Sequence, residues 1–478
     1  MMMLKKIISN GKVVFILSKY ATYAIYFIIS LVIANKLGLF YFGIYGFLKL
    51  IIQYFTYSNL GVNYSSLVIM SEDANKDITK NSSILTSSII ITFFSLTFFY
   101  LIFVAICNLY EIEFYNRFNI GQYVFYIFFI VLIKQINQLY INIYRVYDRL
   151  KIINWAYIIP CIGEFIVLFT GNGERLLDNI MWAMVFSNGI VFIIFLVDAK
   201  FSISNNIDIK ATKKLVRRGI MLLLYNISFY FIVLVAKSYI SSEFQIEDFA
   251  QYSFSYNISD AVMLLNSSVS FFIYPNLINK LSSSNSTNNS LLLMREMQQY
   301  YMIAASLVII IALIASHFLQ LIVPDYVKSE YILQILLLSQ LLVANSFIMT
   351  TFLVQQKKEL KLIILGVSTI IVLLFASHTI FNSTNNIMMV SYALPIAMFF
   401  YNIALVLLIK KMTNLSAKDS FRSFLAPVYF CPLIIFLIME SLCHSFYLSL
   451  LMALLSASLL LKRATILIKK NYSCEINR

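Results

Sequence analysis

Charge is the scarcest property of this sequence. Only 12% of its 478 residues are Asp, Glu, Lys or Arg, about half the share of an ordinary soluble domain. That leaves too little polar surface to clothe a water-soluble globule, and it excludes a disordered chain, whose composition runs the other way. Cysteine is sparse as well. The five present (Cys107, Cys161, Cys431, Cys443, Cys474) are scattered without a C-x-x-C pair, which excludes a disulfide scaffold and suggests neither a metal nor a redox site. Nucleotide and catalytic motifs are missing too. Gly11-Lys12 lacks the preceding glycine and the following hydroxyl of a phosphate-binding loop, so ATP drive through that motif is excluded. With no H-E-x-x-H, nucleophile elbow or paired-carboxylate motif, neither catalysis nor a cofactor is expected.

What is present is apolar: 60% of the residues are hydrophobic and 16% aromatic. The fold class expected is an all-α integral membrane protein. A helix needs about 20 apolar residues to cross hydrocarbon about 30 Å thick, and fourteen such runs can be marked. The first six are Val13 to Lys36, Phe42 to Met70, Ser83 to Cys107, Gln122 to Tyr147, Ile152 to Phe169 and Leu177 to Val197. The next six are Leu215 to Tyr239, Phe249 to Leu281, Tyr300 to Val323, Tyr331 to Leu353, Leu360 to Phe381 and Ile387 to Ile409. Phe424 to Leu442 and Phe446 to Leu461 form a closing pair. The start, Met1-Met2-Met3-Leu4-Lys5-Lys6, reads like a signal peptide, but the run after it is too long, so a retained helix is expected.

The basic excess, 36 residues against 22 acidic for a net charge of +14, fits the positive loops of a membrane protein. With the N-terminus inside and alternate loops crossing, 28 of the 36 lie inside and five outside. Lys19, Lys49 and Lys134 remain within spans. Both termini are therefore expected in the cytoplasm. The outside loops, such as Asn108 to Gly121 and Ser241 to Asp248, are too short to fold as a domain, and the polar run Ser282 to Ser290 is of low complexity.

Tyr26-Phe27-Ile28 recurs as Tyr230-Phe231-Ile232, and Phe42-Gly43-Ile44-Tyr45-Gly46-Phe47 as Phe249-Ala250-Gln251-Tyr252-Ser253-Phe254. That offset maps the first six spans onto the next six as parallel repeats. The organisation expected is an N-terminal lobe over residues 1–200, a C-terminal lobe over 201–412, and a helix pair with a tail over 413–478. The two lobes would be pseudo-symmetric and enclose a central cavity.

The stretch 42–47, followed by Gln53-Tyr54 and Leu60-Gly61-Val62-Asn63-Tyr64, resembles the N-terminal part of bacterial polysaccharide-biosynthesis membrane proteins. Leu224-Tyr225-Asn226-Ile227-Ser228-Phe229-Tyr230, Tyr252-Ser253-Phe254 and Phe272-Ile273-Tyr274-Pro275 look like the matching second-half stretch. These are the O-antigen repeat-unit flippases, in the superfamily that also holds multidrug and toxin extruders and lipid II flippases. The resemblance implies a bacterial inner-membrane flippase for an undecaprenyl-pyrophosphate-linked oligosaccharide, working by alternating access beside the polymerase machinery. Relatives often carry an acidic-basic pair at the outer end of the seventh span. Here that position reads Ala236-Lys237.

A charge at the bilayer centre costs about 2.5–3.5 kcal/mol on insertion scales, so each needs a partner or water. At helical spacing Lys19, Tyr23 and Tyr26 share a face, as do Tyr45, Lys49, Gln53 and Thr56. Lys134, Gln138, Arg145 and Arg149 form a third stripe, and Asn226, Tyr230 and Lys237 a fourth. The substrate-binding candidates are Lys19, Tyr23, Tyr26, Lys49, Gln53, Lys134, Gln138, Arg145, Asn226, Tyr230 and Lys237. Cations would meet a pyrophosphate, and Tyr and amide groups a sugar. For the lysines the alternative is snorkelling to a headgroup; for most of the 32 tyrosines it is packing or an interface belt. Glu164, four residues after Pro160, and Asp260, beside Tyr256 and Asn257, are the candidates for H⁺ or Na⁺ coupling. The alternative for these acids is a structural ion pair, for instance with Lys134 or Lys19. Glu440 lies near an outer end and is expected to be solvated; His317, His378 and His444 also lie toward outer ends, and none is expected to act as a relay.

Two other functions compete. A membrane glycan polymerase should carry a sizeable basic outside loop, which is absent. A cation-coupled drug exporter of the same superfamily should carry carboxylates in its first lobe, where this chain has three lysines against Glu164.

Overall fold

The computed structural model describes residues 11–72, 78–109, 113–198, 209–262, 287–413, 424–443, 445–455, 457–458 and 460–462. The motif Phe272 to Pro275, most of the run Ser282 to Ser290, the first ten residues and the C-terminal tail lie outside them.

Every regular element among the described residues is helical, as backbone chemistry in hydrocarbon requires. Helix α1 covers Gly11–Phe55 and is two helices, separated at Gly38, whose φ of 67° and ψ of 174° suit only a residue without Cβ. Next come α2 (Val62–Glu72), α3 (Ile78–Leu109), the short α4 (Glu113–Arg117), α5 (Ile120–Val146), α6 (Leu150–Val167) and α7 (Gly173–Val197). Helix α8 (Ile209–Glu243) leads into α9, helical over residues 246–262. The order continues with α10 (Thr287–His317), α11 (Leu319–Ile322), α12 (Val327–Gln355), α13 (Glu359–Thr384), α14 (Ile387–Val390) and α15 (Ala393–Thr413). A 3₁₀ turn at Pro427–Tyr429 precedes α16 (Cys431–Cys443) and a last apolar helix starting at Phe446. Ten of the described helices are long and apolar enough to cross a membrane. The first of these, Ser18–Phe55, is long enough for two crossings once divided at Gly38. With α9 and the two shorter apolar helices Cys431–Leu442 and Phe446–Lys462, the order agrees with about fourteen spans.

The second expected span, Phe42 to Met70, is not one helix. It breaks over residues 56–61, between α1 and α2. Leu60 and Gly61 there have φ of 53° and 73°, a backbone state that no α-helix accommodates. Side chains complete the interrupted hydrogen bonds. Asn59 Nδ2 donates to Thr56 O at 3.0 Å, and its Oδ1 accepts from Gly61 N at 2.9 Å. From α5, buried Gln135 donates through Nε2 to Phe55 O at 2.7 Å.

The chain forms two compact units. One contains residues 1–230 and 241–250, the other 231–240 and 251–478. The seventh long helix, α8, thus contributes residues 209–230 to the first unit, where Gly219 packs on the break: a Cβ built on Gly61 would lie 2.0 Å from Gly219 O. The rest of that unit packs around α5. Tyr140 and Tyr144 stack on Phe195 of α7, each at 5.3 Å, within a core that also takes in Ile69, Ile84, Ile153 and Leu215.

In the second unit α12 is the central helix, buried along most of its length. Its Asn345 accepts from Gln298 Nε2 of α10 at 2.8 Å and donates to Asn402 Oδ1 of α15 at 2.8 Å. Asn402 closes the chain by donating to Leu342 O at 3.0 Å. In lipid, where apolar contact distinguishes poorly between neighbours, such amide bonds fix which helix faces which.

The Gly61 contact yields a graded prediction. Gly61→Ala combines a left-handed residue, about 1–2 kcal/mol, with overpacking, about 1–3 kcal/mol. Gly219→Ala, whose Cβ would lie 2.7 Å from Leu60 O, carries only the second cost. Gly189→Ala, with nothing within 4 Å, should be neutral or stabilising. Apparent melting temperatures in detergent should rank Gly61→Ala lowest and Gly189→Ala at or above the parent.

Candidate functional site

The charged side chains expected on separate helices of the first lobe come together within the first unit. From α1, the Lys49 ammonium sits 4.4 Å from the centroid of the Tyr45 ring, one turn earlier. Lys134 of α5 is close enough to act on Lys49 electrostatically, and both are within range of Glu164 on α6. Tyr26 and Tyr45 lie within range of the same carboxylate. Glu164 is buried and the two lysines are partly exposed. Among the described residues Glu164 makes no ion pair within 4.0 Å. The anticipated alternative of a closed structural pair with Lys134 or Lys19 is therefore not formed.

A second tier is built from Lys19, Tyr23, Arg145 and Tyr157. The Lys19 ammonium lies 5.6 Å from the Tyr23 ring centroid and 5.3 Å from that of Tyr157 on α6. Arg145 of α5 is exposed and acts electrostatically on both Lys19 and Tyr157. Two lysines thus lie in range of one carboxylate in the first tier, and Lys19 and Arg145 in range of each other in the second. Aromatic faces hold two of the ammonium groups, an arrangement worth about 0.5–2 kcal/mol each depending on hydration.

The amides divide. Gln53 is exposed on the Lys49 helix, free to meet a solute. Gln138 is exposed as well, and donates to Asn142 Oδ1 at 3.1 Å; Asn142 in turn donates to Asn63 O of α2 at 2.8 Å. The Lys134 stripe is in this way tied to the broken second span.

The fourth stripe is divided by the structure. Asn226 donates to its own helix at Leu222 O, and Tyr230 is 51% exposed, its ring 6.3 Å from Tyr57 in the first unit. Lys237 belongs to the second unit, where it is buried with its ammonium 3.9 Å from the Tyr256 ring centroid. Asp260 is within electrostatic range of Lys237 but is exposed, not buried as anticipated. The reason is rotational: Ser255 and Ser259 take the face of α9 that packs on α12, with Ser255 Oγ 2.7 Å from Ser329 O, and Asp260 lies on another face.

Tyr157 and Gln135 were not anticipated. Tyr157 is one of 32 tyrosines and nothing in its local pattern marks it; only packing of α6 on α1 brings it to Lys19. Gln135 carried a faint signal, a second polar residue directly after Lys134 in an apolar run.

Removing the one acid in range of Lys49 and Lys134 among the described residues should destabilise the unit. Glu164→Gln is expected to lower the apparent melting temperature in detergent, and adding Lys134→Met should recover part of the loss. A coupling energy of about 0.5–3 kcal/mol between the sites is expected; strict additivity would show that they do not interact.

No protein-family model matches the sequence, and no curated relative matches it. Solved structures do match its fold. An inward-facing multidrug resistance MATE family transporter of the MOP superfamily superposes with a TM-score of 0.65 at 11% identity, over 83% of this chain and 96% of its own. The lipid II flippase MurJ, in an inward closed conformation, gives 0.63 at 13% identity, over 98% of this chain and 100% of its own. A further MATE structure, in a bent conformation, gives 0.54 at 14% identity over 86% and 97%. The chain has the fold of the MATE and MurJ transporters.

Proposed function

We propose that this protein is a flippase. It moves an undecaprenyl-pyrophosphate-linked oligosaccharide, of the O-antigen or capsule repeat-unit type, across the bacterial inner membrane by alternating access. The observation that carries this reading is the charge of the first unit: Lys49 and Lys134 lie in range of each other and of the single carboxylate Glu164, with Lys19 in a neighbouring tier. Such a set needs an anion to balance it, and lysines act as point-charge partners of phosphate. Exposed Gln53 and Gln138 and the tyrosine faces beside the cations supply the hydrogen bonds and apolar planes that sugars use. On this reading both termini are cytoplasmic, Arg145 stands at the entrance, and the lipid tail stays in the bilayer. The expected lobes, 1–200 and 201–412, carry the motion, with 413–478 appended. Lys237 contacts the headgroup from the second half, with Asn226 and Tyr230 on the same helix.

A drug exporter is the second reading, favoured by the MATE superposition at TM-score 0.65. Two observations weigh against it. Cationic drugs would be repelled by four positive groups, and the flippase superposition extends over 98% of this chain whereas the MATE superposition reaches 83%.

The deciding experiment deletes the gene and quantifies lipid-linked oligosaccharide by mass spectrometry alongside surface polymer. Complete single repeat units should accumulate facing the cytoplasm while surface polymer disappears. Repeat units gathering on the periplasmic side would point to a polymerase, and two unchanged pools with altered drug susceptibility to an exporter. Lys134→Ala should reduce export about tenfold or more at normal protein abundance, the effect of losing one charged hydrogen-bond partner. Glu164→Gln should abolish any dependence of transport on an imposed pH gradient, if Glu164 is the coupling group; unchanged dependence would move coupling to Asp260 or elsewhere.

A further inference from the structure

In the second unit, a cluster unrelated to the cationic tiers gathers at the end of α10. His317 Nδ1 lies 3.5 Å from Glu330 Oε1 on the first turn of α12. The imidazole stacks on Phe446 at 4.1 Å, with its rings nearly parallel. Glu440 of α16 is within electrostatic range of both Glu330 and His317. Gln334, one turn along α12 from Glu330, is within hydrogen-bonding reach of the Glu440 carboxyl, although Glu440 Oε2 itself has no close partner. Two carboxyl groups, one imidazole and one amide therefore meet where α10, α12 and α16 pack.

Polar bookkeeping in this cluster does not close with both acids ionised. The Glu330 side chain is 11% exposed and has the His317 imidazole 3.5 Å away, a cation only when protonated. Glu440 has no cation of its own. Its Oε2 is buried without a hydrogen-bond partner, and so are both Oε1 and Nε2 of fully buried Gln334. A carboxylate oxygen buried without a donor loses its hydration for nothing in return. One proton on Glu440 resolves this. The carboxylic O–H then has Gln334 Oε1 as its acceptor, and the second negative charge beside Glu330 is removed from the contact. A metal ion does not resolve it, because among the described residues no three His, Cys, Asp or Glu side chains converge on a metal-sized site.

We infer that Glu440, supported by Gln334 and the His317–Glu330 pair, is a proton-binding site that fastens α16 to α12 and α10. The proton is held while α16 is docked. Its release leaves a second carboxylate beside Glu330 with only one imidazole between them, which weakens the docking of α16. Phe446 places the start of the last helix on the same imidazole, so the closing helix pair is joined to the proton site at both of its members. The titratable groups facing Glu440 are Glu330 from α12 and His317 from α10. Tyr447 touches the imidazole from its far side. This site is independent of the flippase reading, since it uses none of the residues assigned to substrate.

The test is infrared difference spectroscopy of the purified full-length protein in lipid nanodiscs, stepped between neutral and alkaline buffer. A protonated-carboxyl carbonyl band should be present at neutral pH, diminish in alkali, and be missing from Glu440→Gln. Gln334→Leu, which removes the acceptor while leaving Glu440 in place, should shift that band rather than delete it, and serves if Glu440→Gln does not fold. A wild-type spectrum without the band would overturn the inference, as would a band that survives unchanged in both variants. Loss of the band on adding sodium chloride at constant pH would assign the site to a monovalent cation and overturn the proton. In all arms the flippase assay is unaffected as a readout, so failure here and failure of the transport reading are separable.

Discussion

Backbone hydrogen bonding is the constraint on which everything else here depends. In hydrocarbon an unpaired peptide group costs several kcal/mol, so a chain with this little charge has one economical solution, the helix. Departures from it are therefore informative. The break over residues 56–61 places irregular backbone inside an apolar unit, and each freed group there is met by a side chain: Asn59, Ser58 and Gln135. Gly61 and Gly219 allow α8 to close over it at backbone contact. A polar site in lipid has to be built this way, on non-helical turns protected by packing.

The same economy governs the charges. Lys49 and Lys134 are held partly accessible in range of a buried acid, Lys49 against the Tyr45 face, without closing an ion pair with it. A closed pair would be electrically silent and would leave nothing to attract a solute. Partial compensation keeps the unit foldable and leaves a net positive field, stronger in a low-dielectric wall than it would be in water. On the proposed reading, stability and recognition draw on one imbalance, and Glu164 bears on both.

How much of this was legible from the residues varies by element. The span count follows from run length, and Lys19, Lys49 and Lys134 from the price of charge in lipid; their grouping around Glu164 follows from helical spacing plus packing of α1, α5 and α6. The break within 42–70 was not legible as a break, because Asn59-Leu60-Gly61 sits in a run apolar enough to pass for one helix. Glu440 was expected to be solvated because it falls near a helix end. Its burial comes from α10 and α12, which lie more than 80 residues away in sequence, and no local pattern reports a partner at that separation. Asp260 failed in the opposite direction: periodicity places it on a helix, but which face meets α12 is decided by Ser255 and Ser259.

The two acid sites now differ in kind. Glu164 stands in range of two lysines, more positive charge than one carboxylate can neutralise. Glu440 stands beside another carboxylate with one imidazole to share, so its neutral form is favoured and its natural ligand is a proton. The two acids belong to different units, so on the proposed reading the charge that attracts the headgroup and the Glu440 proton site can be altered independently.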